Sequence, residues 1–149
     1  MYKRIAVAVD GSDTSTAALS EAVKLAKTMD STVLLLYVCE EMPVVWNMEG
    51  MAPYPLEDVT KALVESGKQL LQKDKARVAE AGVKVETRLV EDYNGRIGAV
   101  ISKEAAQWLA DLLVVGTHGR KGLDHLLMGS VAEGVMRTAT MPVLLVRGA

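Results

Sequence analysis

The sequence has no phenylalanine, one cysteine, and few aromatic residues of any kind, 4% of the chain. The single cysteine, Cys39, excludes an internal disulfide and is typical of a protein from a reducing compartment. A core without phenylalanine must be built from aliphatic side chains, with methionine expected to fill irregular gaps. Half of the 149 residues are hydrophobic. We therefore expect one domain of ordinary size, residues 1–149, with a real core.

Strong charge and long apolar runs are also lacking. The net charge is −2, so nothing in the totals indicates nucleic acid or a membrane surface as a partner. No apolar stretch approaches the roughly 18 residues that cross a bilayer. The apolar run at 5–9 ends at Asp10, too early for the core of a signal peptide. We expect a cytoplasmic protein that binds neither nucleic acid nor membrane.

Five short apolar runs alternate with stretches of helical period. Those stretches lie at about 18–29, 56–78, 97–108 and 131–136, and the second is imperfect because Gly67 and Asp74 fall on its apolar face. The order β-α-β-α-β-α-β-α-β predicts a Rossmann-like α/β domain, an open parallel five-stranded sheet with helices on both faces. The apolar runs are IAVAV (5–9), TVLLLYV (32–38), VKVETRLV (83–90), LLVV (112–115) and PVLLV (142–146).

The strands can also be placed in order. A strand covered on both faces is apolar throughout, whereas a partly solvated strand alternates. The first, second and fourth runs are continuously apolar, but the third alternates, with Lys84, Glu86 and Arg88 between apolar neighbours. The third strand is therefore predicted at an edge. This favours the order 3-2-1-4-5 over the flavodoxin-like 2-1-3-4-5, which places strand 2 at an edge.

The fifth strand then forms the other edge and has no polar face. An uncovered apolar edge pairs readily with another chain. A helix or the C-terminal residues could cover it, or two copies could pair through it as a homodimer, which is the alternative we favour. The residues at this seam are Val143, Leu144, Leu145 and Val146.

The segment 40–55 is rich in methionine and proline and has no clear period. Long loops of this kind are usually functional or mobile. Trp46, Met48 and Met51 make it unusually apolar for a linker. A lid, a partner-binding loop and a disordered connection all remain open.

In an open parallel sheet, ligands bind beyond the carboxyl ends of the strands, where connections leave in opposite directions. With the order 3-2-1-4-5 this point lies between strands 1 and 4. Strand 1 ends at Asp10 and strand 4 at Val115 and Gly116. The fold therefore predicts that Asp10 lies close to the glycine-rich stretch that follows strand 4.

That stretch reads VVGTHGRKGLDHLLMGSVAEGVMRT, residues 114–138, and has neither P-loop nor GxGxxG spacing. Gly116, Gly119 and Gly129 allow sharp turns and close approach to a ligand. Ser130 opens the last helix, and Ser130 with Glu133 fits a capping box. The free N–H groups at a helix start suit an anion. Together these features predict a phosphate site.

Charged and imidazole side chains in the same stretch are less decisive. Arg120 and Lys121 add positive charge beside the helix start, although such residues are usually solvated. His118 and His125 have no visible third partner and are assigned no chemistry. Asp10 could simply cap the first helix or bond neighbouring N–H groups. One cysteine and two histidines in separate contexts do not make a metal site.

At this point the sequence resembles the nucleotide-binding universal stress proteins. Gly116-x2-Gly119-x9-Gly129-Ser130 matches their glycine signature, and VDGS, LLYV, VVGTHG and PVLLV match their strand ends along the whole chain. The resemblance implies the order 3-2-1-4-5, a homodimer through the last strand, and ATP as ligand, with Mg²⁺ as a candidate companion ion. Ala132 stands where the family commonly has a hydroxyl residue, which would remove one phosphate contact.

The resemblance also implies a set of binding positions. Asp10 and its neighbours would border the nucleoside, the backbone of Val38 would meet the adenine, and the glycines with the helix start would hold the phosphates. With the residues that flank the glycine turn, the predicted nucleotide site comprises Ala8, Val9, Asp10, Val38, Val115, Gly116, Gly119, Arg120, Gly129, Ser130 and Val131.

Three classes of function follow. The first is a stress-response regulator in which bound nucleotide shifts a conformation that partners recognise. The second is a slow ATP hydrolase, disfavoured because the motif has no Walker lysine, carboxylate pair or clear base. The third is a chaperone-like protein or adaptor that acts through 40–55. We favour the regulator and expect at most weak ATPase activity, with no dedicated catalytic residue.

Overall fold

The computed structural model describes residues 1–39, 56–92, 95–118 and 128–148. Nine helices and strands alternate along these described residues, in the order that the sequence predicts. In chain order the helices and strands are β1 (Arg4–Ala8), α1 (Asp13–Met29), β2 (Thr32–Cys39), α2 (Leu56–Glu80), β3 (Lys84–Glu91), α3 (Ile97–Gln107), β4 (Leu112–Gly116), α4 (Ser130–Thr138) and β5 (Val143–Val146). No helix within the described ranges is long and apolar enough to cross a membrane.

The five strands form one parallel sheet in the order β3-β2-β1-β4-β5, which confirms the predicted order. The central strand β1 pairs Ala6 with Leu34 on one side and with Leu113 on the other. The strands predicted to be interior are almost fully buried, whereas the polar residues of β3 keep that edge partly exposed. The alternation in the third run therefore located the edge correctly.

Helices cover both faces of the sheet. Ile5, Val7 and Val9 point to the face covered by α1 and α2, which contribute residues such as Leu19 and Val78. Ala6 and the alternate residues of its neighbours point to the other face, under α3 and α4. The chain thus crosses from one face to the other after β3, and the helices that follow β1 and β4 lie on opposite faces.

The core is aliphatic, as the absence of phenylalanine requires. Its largest fully buried side chains include Ile5, Leu19, Leu35 and Leu113. Among the described methionines, Met141 is partly buried and packs against the core under α3 and α4. Most of the core is supplied by the β-branched and leucine side chains of neighbouring strands, which lie in register.

The two irregular positions on the apolar face of α2 have separate explanations. Gly67 makes room for the ring of Tyr37, since a Cβ on Gly67 would lie 2.5 Å from Tyr37 Cε1. Asp74 is a buried carboxylate, 7% exposed, with Arg77 Nη1 4.0 Å from its Oδ1. Burial raises the pKa of Asp74, although the positive charges of Arg77 and Lys73 oppose the shift.

At the other edge, β5 ends the sheet. Leu144 and Val146 pack toward the α1 face, and Val143 and Leu145 toward the α3 and α4 face. All four residues remain partly exposed in the single chain. The strand therefore has no polar face, as its sequence indicates.

Candidate functional site

A pocket opens at the carboxyl ends of β1 and β4, where the connections leave toward opposite faces of the sheet, as the strand order predicts. Its walls come from six elements and from the two connections that follow β1 and β4. Most of the lining is apolar, and the polar side chains are Asp10, Ser15 and His118. The lining residues are Ala8, Val9, Asp10, Ser15, Leu36, Val38, Ile97, Ile101, Val115, Gly116, His118, Val131 and Ala132.

The turn between β1 and α1 fixes the orientation of Asp10. Gly11 has φ +83°, a left-handed conformation that favours glycine. The Ser12 N–H donates to Asp10 Oδ1 at 2.8 Å, and the Asp10 N–H donates to Ser15 Oγ at 3.0 Å. Ser12, rather than Asp10, caps α1 by accepting the Ser15 N–H. Asp10 therefore does bond a neighbouring N–H group, and it lines the pocket at the same time.

The end of β4 lies against the first turn of α1. A Cβ on Gly116 would lie 3.0 Å from the main-chain carbon, the carbonyl oxygen and the Cβ of Thr14. The Thr14 hydroxyl donates to the main-chain carbonyl of His118. The missing side chain at Gly116 is thus required by the packing of α1, a contact that the sequence pattern alone did not indicate.

The start of α4 differs from the sequence prediction. Gly129 is the N-cap, its carbonyl accepts the Glu133 N–H at 3.0 Å, and it has no side chain with which to cap the helix. Ser130 is therefore the first helical residue, which puts Glu133 one position beyond the reach of a capping box. The predicted capping box is wrong. The N–H groups of the first turn, residues 130–132, are left without intrahelical acceptors.

Two main-chain hydrogen bonds connect this helix start to the edge strand. The Gly129 N–H donates to the Thr117 carbonyl at 2.7 Å, and the Thr117 N–H donates to the Val146 carbonyl at 2.9 Å. We call this series the 146–117–129 ladder. The Thr117 hydroxyl also lies 3.0 Å from Nδ1 of His118, which turns toward the pocket. The helix start is therefore fixed relative to both β4 and β5.

The structure brings most of the predicted site residues together. Gly129 and Ser130 begin α4 beside the pocket but are not among its lining residues. Gly119, Arg120, Lys121 and His125 lie outside the described residues, as does the segment 40–55. Seven predicted positions line the pocket: Ala8, Val9, Asp10, Val38, Val115, Gly116 and Val131.

Sequence reasoning missed several lining residues. Ile97 and Ile101 come from the first turns of α3, the helix that starts beyond the carboxyl end of β3. The four-residue spacing of these two isoleucines indicated one helix face but not that this face meets a ligand pocket. Ser15, 5% exposed, is buried beneath the β1–α1 turn. Leu36 was predictable, because it lies two residues before Val38 on the same face of β2.

Comparison with known proteins gives a consistent result. Residues 1–147 match the universal stress protein family. The chain is 38% identical to universal stress protein MJ0531 of Methanocaldococcus jannaschii, covering 99% of this chain and 83% of that one. It is 34% identical to YxiE of Bacillus subtilis, with 99% and 100% covered. The solved structure of the protein MJ0577 superposes with a TM-score of 0.84 at 28% identity, covering 100% of this chain and 98% of that one.

Three more distant structures of the same fold hold nucleotides. A universal stress protein in complex with cAMP is 23% identical, with a TM-score of 0.71 and 99% of both chains covered. The Archaeoglobus fulgidus protein in complex with dAMP is 23% identical, with a TM-score of 0.66, covering 97% of this chain and 98% of that one. The Arabidopsis thaliana protein with AMP bound is 20% identical, with a TM-score of 0.66 and 99% and 92% covered. At these identities the likeness shows the shared fold.

Proposed function

Because the chain belongs to the universal stress protein family, we propose that it is an ATP-binding regulatory protein that works as a homodimer. In this proposal residues 1–149 form a single nucleotide-binding domain. The observation that carries it is one pocket lined by Asp10 after β1, Val38 of β2, Gly116 of β4 and Val131 in the first turn of α4. Nucleotides bound by distant relatives of the same fold support the choice of ligand.

The apolar part of the pocket suits a nucleoside. Leu36, Val38, Ile97 and Ile101 offer flat aliphatic surface on which a purine base can lie, and a base gains from leaving water there. Asp10 stands at the polar side of the pocket with one carboxylate oxygen held by the Ser12 N–H. A carboxylate in that position can accept hydrogen bonds from ribose hydroxyls.

The α4 side of the pocket suits phosphate. The N–H groups of residues 130–132 have no intrahelical acceptors, and the N-cap residue Gly129 has no side chain that could accept from them. Such groups, together with the positive end of the helix dipole, bind anions well. In this proposal Gly119 and Arg120, which lie outside the described residues, also contribute to the phosphate site. Gly129 and Ser130 begin the helix whose N–H groups bind the phosphate.

Regulation is a better explanation than hydrolysis. Phosphoryl transfer requires positioned cations and an oriented water. Among residues 1–39, 56–92, 95–118 and 128–148, no three acidic, histidine or cysteine side chains converge as metal ligands. A bound Mg²⁺ would therefore be held chiefly by the nucleotide itself. The proposed role of ATP is to stabilise one conformation of the dimer, which partner proteins then recognise.

The ligand proposal is tested at Ser130. Freshly purified protein is denatured, released nucleotide is identified by chromatography, and ATP affinity is measured by calorimetric titration. Ser130→Glu adds negative charge at the helix start, where it favours the helix but repels phosphate. We expect ATP affinity to fall at least tenfold, about 1.4 kcal/mol, with no loss of thermal stability.

Ser130→Gln is the matched control, because it has nearly the same size and no charge. It should retain most of the affinity of the wild type. Equal ATP affinity in Ser130→Glu and Ser130→Gln would rule out a phosphate at this helix start. Conversion of bound ATP to ADP, at a rate abolished by Asp10→Ala, would instead favour the slow hydrolase.

The proposed dimer pairs β5 of two copies through Val143, Leu144, Leu145 and Val146. The carbonyls of Pro142 and Val146 accept hydrogen bonds from the N–H groups of Leu113 in β4 and of Thr117 directly after it, at 3.0 and 2.9 Å. Because alternate residues of a strand point their main chains in opposite directions, the N–H groups of Val143 and Leu145 face away from β4. These groups are available to a second copy.

Sedimentation velocity over a range of protein concentrations tests the dimer. Leu145→Pro removes one outward N–H while leaving the bonds to β4, and we expect a monomer. Leu145→Thr keeps that N–H and is the control, which should remain a dimer. A wild type that is monomeric at all concentrations, or a dimeric Leu145→Pro, would contradict this proposal.

A further inference from the structure

Helices α3 and α4 cross in direct backbone contact at Gly98 and Gly134. A Cβ placed on Gly98 would lie 2.7 Å from the Cα of Gly134 and 2.7 Å from the carbonyl oxygen of Val131. A Cβ on Gly134 would lie 3.1 Å from the Cα of Gly98. Cβ atoms in proteins essentially never lie within 3.0 Å of main-chain atoms. Any side chain at position 98 must therefore push the two helices apart.

The contact continues one turn further along both helices. Ser102 and Thr138, each four residues beyond one of the glycines, are joined by a hydrogen bond of 2.8 Å between their hydroxyls. Ser102 is 4% exposed. The two helices therefore stay in contact over at least one full turn, and the glycine crossing determines their separation at the end that faces the pocket.

This crossing lies between two walls of the pocket. On α3, Ile97 and Ile101 line the pocket on either side of Gly98 in the sequence. On α4, Val131 and Ala132 line it from the first turn. The carbonyl that a Gly98 side chain would strike belongs to Val131 itself. The crossing therefore sets the distance between the apolar wall and the helix start.

Of the two helices, α4 is the one that we expect to move when a side chain is added at Gly98. It has nine residues and buries only Ala132 and Val135, whereas α3 buries four residues. At its C-terminal end α3 is also held by Trp108, whose ring lies 3.9 Å from the Arg4 guanidinium and whose carbonyl accepts from Arg4 Nε at 2.9 Å. An added methyl group at Gly98 should thus displace the first turn of α4 outward and strain the hydrogen bond between the Gly129 N–H and the Thr117 carbonyl.

We propose that Gly98 and Gly134 are positioning residues for the phosphates of the nucleotide. Their contact holds the free N–H groups of the first turn of α4 at the depth where phosphate oxygens meet them. The inference depends on the proposed function, since it requires a nucleotide in this pocket. Neither glycine touches the ligand, and both act through the placement of α4.

The test compares ATP with adenosine, which has the same base and ribose but no phosphate. We expect Gly98→Ala to lower ATP affinity at least tenfold while changing adenosine affinity by less than about twofold. Gly134→Ala, with the wider spacing of 3.1 Å, should show the same selective loss at smaller size. Because it is the milder change, it also keeps the test usable where Gly98→Ala fails to fold.

Gly67→Ala is the matched control. It adds the same methyl group at a tight helical contact, 2.5 Å from Tyr37 Cε1, but on the opposite face of the sheet from the α3–α4 crossing. It should lower thermal stability without changing the ratio of ATP to adenosine affinity.

Two results would overturn the inference. One is an unchanged ATP affinity in both Gly98→Ala and Gly134→Ala. The other is an equal loss for ATP and adenosine, which would indicate general damage rather than misplaced phosphate contacts. If the wild type binds ATP and Ser130→Glu weakens it, either result refutes only the role of the glycines. A wild type that binds neither ATP nor adenosine refutes the proposed function as well.

Discussion

The hydroxyl of Thr14 donates a hydrogen bond to the main-chain carbonyl of His118, 104 positions further along the chain. The Cγ2 methyl of the same side chain packs near Gly148, beyond the end of β5, where an added Cβ would lie 2.6 Å from it. One residue in the first turn of α1 therefore contacts the start of the glycine-rich stretch and the segment after the last strand.

Thr14→Val should separate these two roles. Valine keeps the methyl group that packs near Gly148 and replaces the hydroxyl with a second methyl, so it removes the hydrogen bond from Thr14 to the His118 carbonyl. We expect a loss of about 1 kcal/mol in the free energy of unfolding, measured by urea denaturation. ATP affinity should also fall, because His118 lines the pocket and its main chain loses this bond.

Thr16→Val is the control for this substitution. Thr16 lies on the same helix, is exposed, and its hydroxyl donates to the carbonyl of Ser12, the N-cap of that helix. Thr16→Val should change ATP affinity little. If both variants bind ATP as tightly as the wild type, the bond from Thr14 to His118 has no bearing on the site.

Gly116→Ala tests the contact between β4 and α1. The new Cβ would lie 3.0 Å from three atoms of Thr14, two of which belong to the main chain. Since main-chain atoms cannot rotate away, we expect a destabilisation of about 1–3 kcal/mol, measured by urea denaturation. Unchanged stability would mean that α1 can shift without loss.

Asp74 should make stability depend on pH. Its pKa in the folded state is raised above 3.8 by burial, so between these two values the folded protein binds more protons than the unfolded chain. Stability therefore falls as the pH rises through the folded-state pKa, and it stays lower above it. Asp74→Asn should remove this dependence and be more stable than the wild type at neutral pH.

Urea denaturation at several pH values between 4 and 7 measures this effect. Asp58→Asn, an exposed substitution on the same helix, makes the same change in net charge and is the control. A wild type whose stability stays constant or rises through the acidic range, relative to Asp74→Asn, would contradict the expected sign.

Leu109 occupies a backbone position that favours glycine. It follows α3 with φ +63° and is 75% exposed. The Ala110 N–H donates to the Ala105 carbonyl at 2.9 Å, and the Leu109 N–H to that of Ala106 at 3.0 Å, which is the Schellman arrangement. Leu109→Gly should raise the free energy of unfolding by about 1 kcal/mol. Leu109→Ala keeps the Cβ and should gain little, and equal effects of the two variants would contradict backbone strain as the cause.

The strand order of the sheet was predictable because it shows in the pattern of apolar and polar residues along each strand. Continuous apolar runs indicated β1, β2 and β4 as interior strands, and the alternating Lys84, Glu86 and Arg88 indicated an edge. Those patterns depend only on how many faces of a strand are covered. The strand order alone also predicted the position of the pocket between the ends of β1 and β4, where Asp10 and Gly116 both line it.

The rest of the site depended on contacts between residues distant in the chain. In the sequence, Gly98 and Gly134 are two separate glycines, each of low helix propensity. Only the structure shows that they contact each other where α3 and α4 cross. The capping-box prediction is wrong because Gly129, whose N–H donates to the Thr117 carbonyl, is the N-cap of α4, so Ser130 is already inside the helix. Spacing along one segment carries no information about such partners.

The 146–117–129 ladder has a consequence for the order in which this protein is made. Synthesis proceeds from the N-terminus, and domains begin to fold as they emerge. The walls contributed by β1, β2 and α3 exist on the nascent chain before β5 does, but the carbonyl of Val146, which fixes Thr117 and through it the start of α4, belongs to the last strand. A ribosome-bound chain that still lacks β5 should therefore be unable to fix the start of α4, so the pocket is completed only when β5 pairs with β4.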